Sequence, residues 1–258
     1  LDGVTGVQTC ALPILREAVD VLQPVLAAAP ERAEEIGLFF ESVLAAEPDQ
    51  AEVWLAYLDG LLRAGRYRRL RQVLPRAEQA LPAVEIGRLR VYCARLRFEE
   101  GDPQGALLEC ELALQLADPP LGRLDELLGD LLVVNPALAR AHLLRAMVAG
   151  AAGRLGDALA HATEALRRDP GLRAEAERAV RRLAEGRLLG GADSLALARF
   201  HLALGGAAEA AAYYQEALQA SPAVAPEVAA DLGAAGLGAA GPIPAPLGRC
   251  LAQALRLA

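Results

Sequence analysis

A glycine recurs at the same place in four segments of this 258-residue chain, and each segment is long enough for two helices. The segments are 51–82, 87–118, 139–170 and 191–222, and they align without gaps. A Gly directly after a helix can adopt the left-handed conformation that ends it, whereas a small Ala in the second helix lets two helices approach closely. The fifteenth residue of every segment is Gly and the residue twelve positions later is Ala: Gly65, Gly101, Gly153 and Gly205, then Ala77, Ala113, Ala165 and Ala217. We therefore predict tandem helix–turn–helix units.

The composition favours helices over any sheet. Ala contributes 56 residues and Leu 48, both strong helix formers, whereas aromatic residues make up 4% of the chain. Val, Ile and Thr are too sparse for a sizeable sheet, so we predict an all-α protein. All 26 basic residues are Arg, a bias that fits a GC-rich bacterial genome.

These segments resemble the tetratricopeptide repeat (TPR) family, whose period is about 34 residues. The first segment matches the family pattern at Trp54, Gly65, Tyr67, Ala77 and Pro82. The fourth carries the run Tyr-Tyr-Gln-Glu-Ala-Leu at 213–218, which is typical of the second helix of such a repeat. The resemblance implies an α-solenoid of TPR-like repeats that binds proteins or peptides.

The spacing departs from the family pattern. The segments start at residues 51, 87, 139 and 191, so the spacings are 36, 52 and 52 residues. The 18 extra residues carry apolar side chains at helical intervals, for example Leu124, Leu127, Leu128 and Leu131. We therefore predict that the later units contain a third helix and repeat every 52 residues. An uncovered apolar stripe would be costly, so we expect this third helix to contact the first.

The sequence divides into five parts. Residues 15–50 are interpreted as a degenerate N-terminal repeat, 51–222 as the solenoid, 223–242 as a weak Ala/Gly-rich helix, and 243–258 as a linker followed by the start of a truncated helix. Residues 4–14 resemble, residue for residue, the translation of a sequencing-library adapter. We therefore expect residues 1–14 to be an unstructured artefact and the chain to be a fragment whose native N-terminus is missing.

Several kinds of site are not expected. A net charge of −7 argues against binding of nucleic acid, and no uncharged apolar run reaches the ~20 residues of a membrane-spanning helix. No nucleophile elbow or phosphate-binding loop is present. His161 and Glu164 stand at a spacing that could hold a metal, but a surface hydrogen bond is the expectation. We predict no catalytic residue, no metal and no cofactor.

Peptide binding is the function that the resemblance implies. In the TPR family, first-helix residues line a groove that receives peptides. The equivalent residues here mix arginines with apolar side chains, which suits a partner carrying acidic groups. The predicted peptide groove consists of Asp59, Arg88, Arg95, Phe98, Arg140 and Arg199.

We therefore expect a non-enzymatic scaffold or adaptor for protein–protein interaction. The alternative is a regulatory or sensor array belonging to a larger enzyme or transcription regulator. A third possibility, helical repeats that bind RNA, would need a basic concave face. The four widely spaced cysteines favour a reducing compartment, so a cytoplasmic location is expected.

Overall fold

The computed structural model describes residues 33–184, 190–238 and 244–258, and within them all regular secondary structure is helical. The α-helices are α1 (Ala33–Ala46), α2 (Ala51–Arg63), α3 (Tyr67–Ala80), α4 (Ile86–Glu99), α5 (Pro103–Leu114), α6 (Leu121–Val134), α7 (Ala139–Ala151), α8 (Leu155–Arg168), α9 (Arg173–Ala184), α10 (Gly191–Ala203), α11 (Ala207–Ala220), α12 (Ala225–Gly238) and α13 (Ala245–Leu257). Short 3₁₀ turns at Ala83–Glu85, Pro170–Leu172 and Pro222–Val224 precede α4, α9 and α12.

The helices repeat with the period that the sequence predicts. Helices α7, α8 and α9 begin at residues 139, 155 and 173, and α10, α11 and α12 begin 52 residues later in each case. Helices α5 and α6 begin 52 residues before α8 and α9. The fold is therefore all-α and built of tandem helical repeats with an added third helix, which confirms the predicted fold class.

The recurring glycines end the first helix of each hairpin. Gly65, Gly101, Gly153 and Gly205 have φ values of 65°, 79°, 81° and 76°. At the third corner the Arg154 N–H donates to Ala149 O at 2.8 Å and the Gly153 N–H to Gly150 O at 3.0 Å. These bonds satisfy carbonyls that the end of a helix leaves without partners. The sequence signal and the backbone conformation therefore coincide at all four positions.

The chain divides into two compact units, 1–123 and 124–258. The described core of the first unit lies between α1, α2, α3 and α4. The ring of Phe40 stacks on that of Tyr57 with centroids 5.1 Å apart, and both side chains are fully buried. The Tyr57 hydroxyl donates a hydrogen bond to Glu41 at 2.8 Å. Aromatic packing thus joins α1 to the first complete hairpin.

The second unit packs its third helices into the same core as its hairpins. Val180 on α9 is buried with the α7–α8 hairpin and with residues of α10. Val228 and Leu232 on α12 are fully buried against α10, α11 and α13. The alanines of the second helices, Ala165 and Ala217, are also fully buried. Small residues at these positions allow the close approach of the paired helices.

The described residues cover only part of the predicted N-terminal and C-terminal divisions. The proposed artefact at residues 1–14 and the first part of the degenerate repeat lie outside them. Helix α1 occupies the rest of that repeat. Helix α12 occupies most of the predicted Ala/Gly-rich segment, and α13 fills the C-terminal residues with Leu247, Cys250 and Ala254 in the core.

Candidate protein-binding surface

The first predicted groove residue, Asp59, is almost completely buried, with 6% of its surface exposed. Its carboxylate lies 2.9 Å from Arg63 Nε and 3.6 Å from Arg123 Nη1. Arg123 belongs to α6, and it also donates to the Tyr92 hydroxyl at 2.6 Å. Asp59 is therefore held by two arginines of the first unit.

Three predicted groove residues lie together on α4. The Arg88 side chain is more than half exposed and lies 3.4 Å from Glu85. Arg95 Nε is 3.0 Å from Glu99, and its guanidinium carbon lies 5.4 Å from the centre of the Phe98 ring. An arginine over an aromatic face is a common cation–π contact. We name Arg88, Arg95 and Phe98 the α4 surface; both arginine side chains are partly exposed, and each pairs with a glutamate of the first unit.

Arg140 and Arg199 contact the third helix of their own repeats. Arg140 on α7 forms an ion pair with Glu175 on α9. Arg199 on α10 lies 2.6 Å from Asp231 and 3.0 Å from Glu227, both on α12. Burial lowers the pKa of Arg199, but its hydrogen bonds to these two carboxylates outweigh that effect and raise the pKa above its usual value. Ion pairs therefore connect α7 to α9 and α10 to α12.

The added helix also covers apolar positions of the same face. Gly150 on α7 is buried, and a Cβ built on it would lie 2.3 Å from a methyl carbon of Leu183 on α9. The third helix thus approaches the backbone of the first helix at the place where a peptide groove was predicted. Peptide binding by the six predicted residues stays a prediction, and within the second unit it would require a partner to displace these contacts.

The structure shows a groove that the sequence reasoning missed. It lies between α9, α10 and the start of α11 and has a volume of about 530 Å³. Its floor is apolar, formed by Val180, Leu197, Phe200 and Leu204, and its rim is charged, with Arg173, Glu177, Arg181 and Glu209. His201 and Tyr213 form one wall, with their rings stacked at a centroid distance of 5.2 Å. We name this the α9–α11 groove.

The preceding repeat explains why this groove is open. Fifty-two residues earlier, Arg145 and Arg154 converge on Asp125, with nitrogen–oxygen distances of 2.8 and 2.7 Å. The groove has Leu197 in the position of Arg145 and Gly206 in the position of Arg154. Two long side chains that bridge the helices in one repeat are thus absent from the next. A 52-residue alignment of the sequence would have revealed this change.

Burial shifts the pKa of ionisable groups on the groove wall and in the core. Burial lowers the pKa of His201, while Glu209 and Glu177 act in the opposite direction. Burial raises the pKa of the Cys93 thiol to about 11 and that of Cys110 to about 12. Because the thiolate is the nucleophile, these protonated thiols behave as small apolar side chains.

Comparisons with known proteins identify no family for this chain. No protein-family model matches the chain, and no curated protein matches it. A solved structure of PilW, described as a widely conserved type IV pilus biogenesis factor, aligns over 79% of this chain and 93% of its own, at 19% identity and a TM-score of 0.30. Because the backbones superpose so loosely, we infer neither fold nor function from this likeness. Among the described residues, none of the helices is both long and apolar enough to cross a bilayer.

Proposed function

We propose that this chain is a non-catalytic scaffold that binds a partner protein through the α9–α11 groove. The observation that carries the proposal is an open groove of about 530 Å³ with an apolar floor and a charged rim. Pockets of roughly 300–1,000 Å³ with apolar walls and a few polar groups are typical of binding sites.

The chemistry of the groove indicates how a partner would be held. An apolar side chain of the partner would fill the groove over Val180 and Leu204 and beside the His201–Tyr213 wall, since Leu197 and Phe200 beneath them are only 1% exposed. Polar groups on either side of it would contact the rim, which carries two arginines and two glutamates. We also propose that an acidic partner segment binds the α4 surface of the first unit, where the Arg88 and Arg95 side chains are partly exposed.

The experiment introduces at Gly206 the arginine that the preceding repeat has at the equivalent position. Peptides would first be selected from a displayed random library on the whole chain. Their affinities for the unsubstituted chain and for Gly206→Arg would then be compared by fluorescence anisotropy. Gly206 has φ −80° and ψ 75°, close to the −90° and 76° of Arg154, so these backbone angles accommodate an arginine; its Cβ would lie 3.1 Å from Glu209 Oε2, at the flexible end of a side chain, and 3.4 Å from the His201 carbonyl oxygen. We expect the affinity of groove peptides to fall by about tenfold or more, because the new side chain enters their space.

The matched control is Ala208→Arg, which adds the same charge at an exposed position of α11 outside the groove lining. It should leave the affinity unchanged. If selection yields no peptides, or if Gly206→Arg binds them as well as the unsubstituted chain does, the groove is not the binding surface. If the selected peptides lack Asp and Glu, the proposed acidic character of the partner is contradicted, but binding in the groove is not.

A further inference from the structure

Two histidines on different helices face each other in the second unit. His142 lies on α7 and His161 on α8, and their Nδ1 atoms are 3.4 Å apart. The ring centroids are 5.6 Å apart and the planes are tilted by 31°. Both side chains are partly exposed.

The equivalent positions of the preceding repeat hold a complementary pair. Fifty-two residues earlier stand Arg90 and Glu109, whose side chains form an ion pair at 3.1 Å. The same contact between first and second helices is therefore made by opposite charges in one repeat and by two identical bases in the next. Two facing imidazole nitrogens can share a hydrogen bond, in which the protonated Nδ1 of one ring donates to the other, or both can bind one metal ion.

A contact on the far side of His142 favours one tautomer of its ring. His142 Nε2 lies 3.3 Å from the carbonyl oxygen of Pro136. A carbonyl oxygen only accepts, so this contact favours the tautomer with its hydrogen on Nε2, in which the Nδ1 lone pair points at His161. Metal-binding histidines commonly donate their other N–H to a backbone carbonyl in this way.

The separation of the two nitrogens fits a metal better than a shared proton. Nitrogen ligands about 2.0–2.1 Å from a tetrahedral zinc ion are about 3.3–3.4 Å apart. The observed 3.4 Å equals that spacing, whereas it exceeds the usual donor–acceptor distance of about 2.7–3.2 Å.

We propose that His142 Nδ1 and His161 Nδ1 bind a divalent transition metal ion, represented by Zn²⁺, between α7 and α8. The described residues contain no group of three or more metal-binding side chains, so water completes the coordination. This differs from the sequence-based expectation of no metal, because residues 19 positions apart on two helices do not show their contact in the sequence. A metal held by both rings would link the two helices of the hairpin.

The test is calorimetric titration of Zn²⁺ into the full-length chain without an affinity tag, together with its thermal melt. We expect one zinc per chain and a rise in Tm with added Zn²⁺, since a ligand that binds only the folded state stabilises it. His142→Gln and His161→Gln should each weaken binding by about tenfold or more and remove the rise in Tm.

The matched control is His201→Gln, because His201 stacks on Tyr213 and lies in another repeat. It should bind zinc as the unsubstituted chain does. Circular dichroism without metal identifies any variant that has not folded. Absence of binding by the unsubstituted chain would leave only a shared proton between the rings, and equal binding by the two histidine variants would place the zinc elsewhere; either result overturns the proposal.

Discussion

At the scale of single residues, the corner glycines show how one backbone position organises a repeat. Nothing lies within 4 Å of a Cβ built on Gly153, yet its φ is 81°. The requirement for glycine there is therefore purely conformational. This is why the four positions were visible in the sequence: the constraint depends on the local backbone and not on any neighbour.

Substitution of Gly153 by Ala should destabilise the chain by about 1–2 kcal/mol, because an L-residue in the left-handed region is strained. The measurement is the free energy of unfolding from urea titration. Gly156→Ala is the control, since Gly156 is exposed on α8, has open space around it and lacks the positive φ. It should cost nothing, because Ala favours a helix. Equal effects of both substitutions would contradict the argument.

At the scale of elements, ion pairs join the added third helices of the second unit to neighbouring hairpins. Asp125 on α6 accepts hydrogen bonds from Arg145 on α7 and from Arg154, which precedes α8. Burial would raise the pKa of Asp125, but the hydrogen bonds from Arg145 and then Arg154 outweigh it and lower the pKa below 3.8. One carboxylate thus holds three helices, and it contributes most when ionised.

Asp125→Asn should lower the free energy of unfolding by about 1–2 kcal/mol at neutral pH, since hydrogen bonds to charged groups are lost. The folded pKa is depressed, so the contribution of Asp125 is fully present above its unfolded pKa and disappears as the pH falls through the folded value. Urea titrations between about pH 7 and pH 3 should show the two proteins converging at the acidic end. A difference independent of pH would mean that the charge is not the cause. Glu126→Gln, at an exposed position of the same helix, is the control and should show a smaller effect.

At the scale of the whole chain, the repeats are stabilised chiefly by their neighbours. In such arrays the total stability is close to a sum of repeat and nearest-neighbour terms. Phe200 is 1% exposed and belongs to a core shared by α7, α8, α9 and α10. Loss of the Phe200 side chain should therefore destabilise the second unit first.

Phe200→Ala should cost about 3–5 kcal/mol as a large-to-small core substitution. Hydrogen–deuterium exchange read by mass spectrometry should show faster exchange in α8–α11 and unchanged exchange in α2–α4. Leu108→Ala is the control, since the Leu108 side chain is 56% exposed, and it should alter exchange little anywhere. Uniformly faster exchange along the chain would indicate a single cooperative unit instead.

The sequence by itself determined the helical class, the hairpins and the 52-residue period, because local backbone preferences and helical periodicity depend only on the order of nearby residues. The sequence also predicted that Ala165 and Ala217 allow the paired helices to approach closely, and both residues are buried. The tertiary structure alone decided what the third helices cover, so that Arg140 and Arg199 pair with α9 and α12. It also decided that the α9–α11 groove stays open and that His142 meets His161, since such contacts depend on which faces of separate helices meet in space.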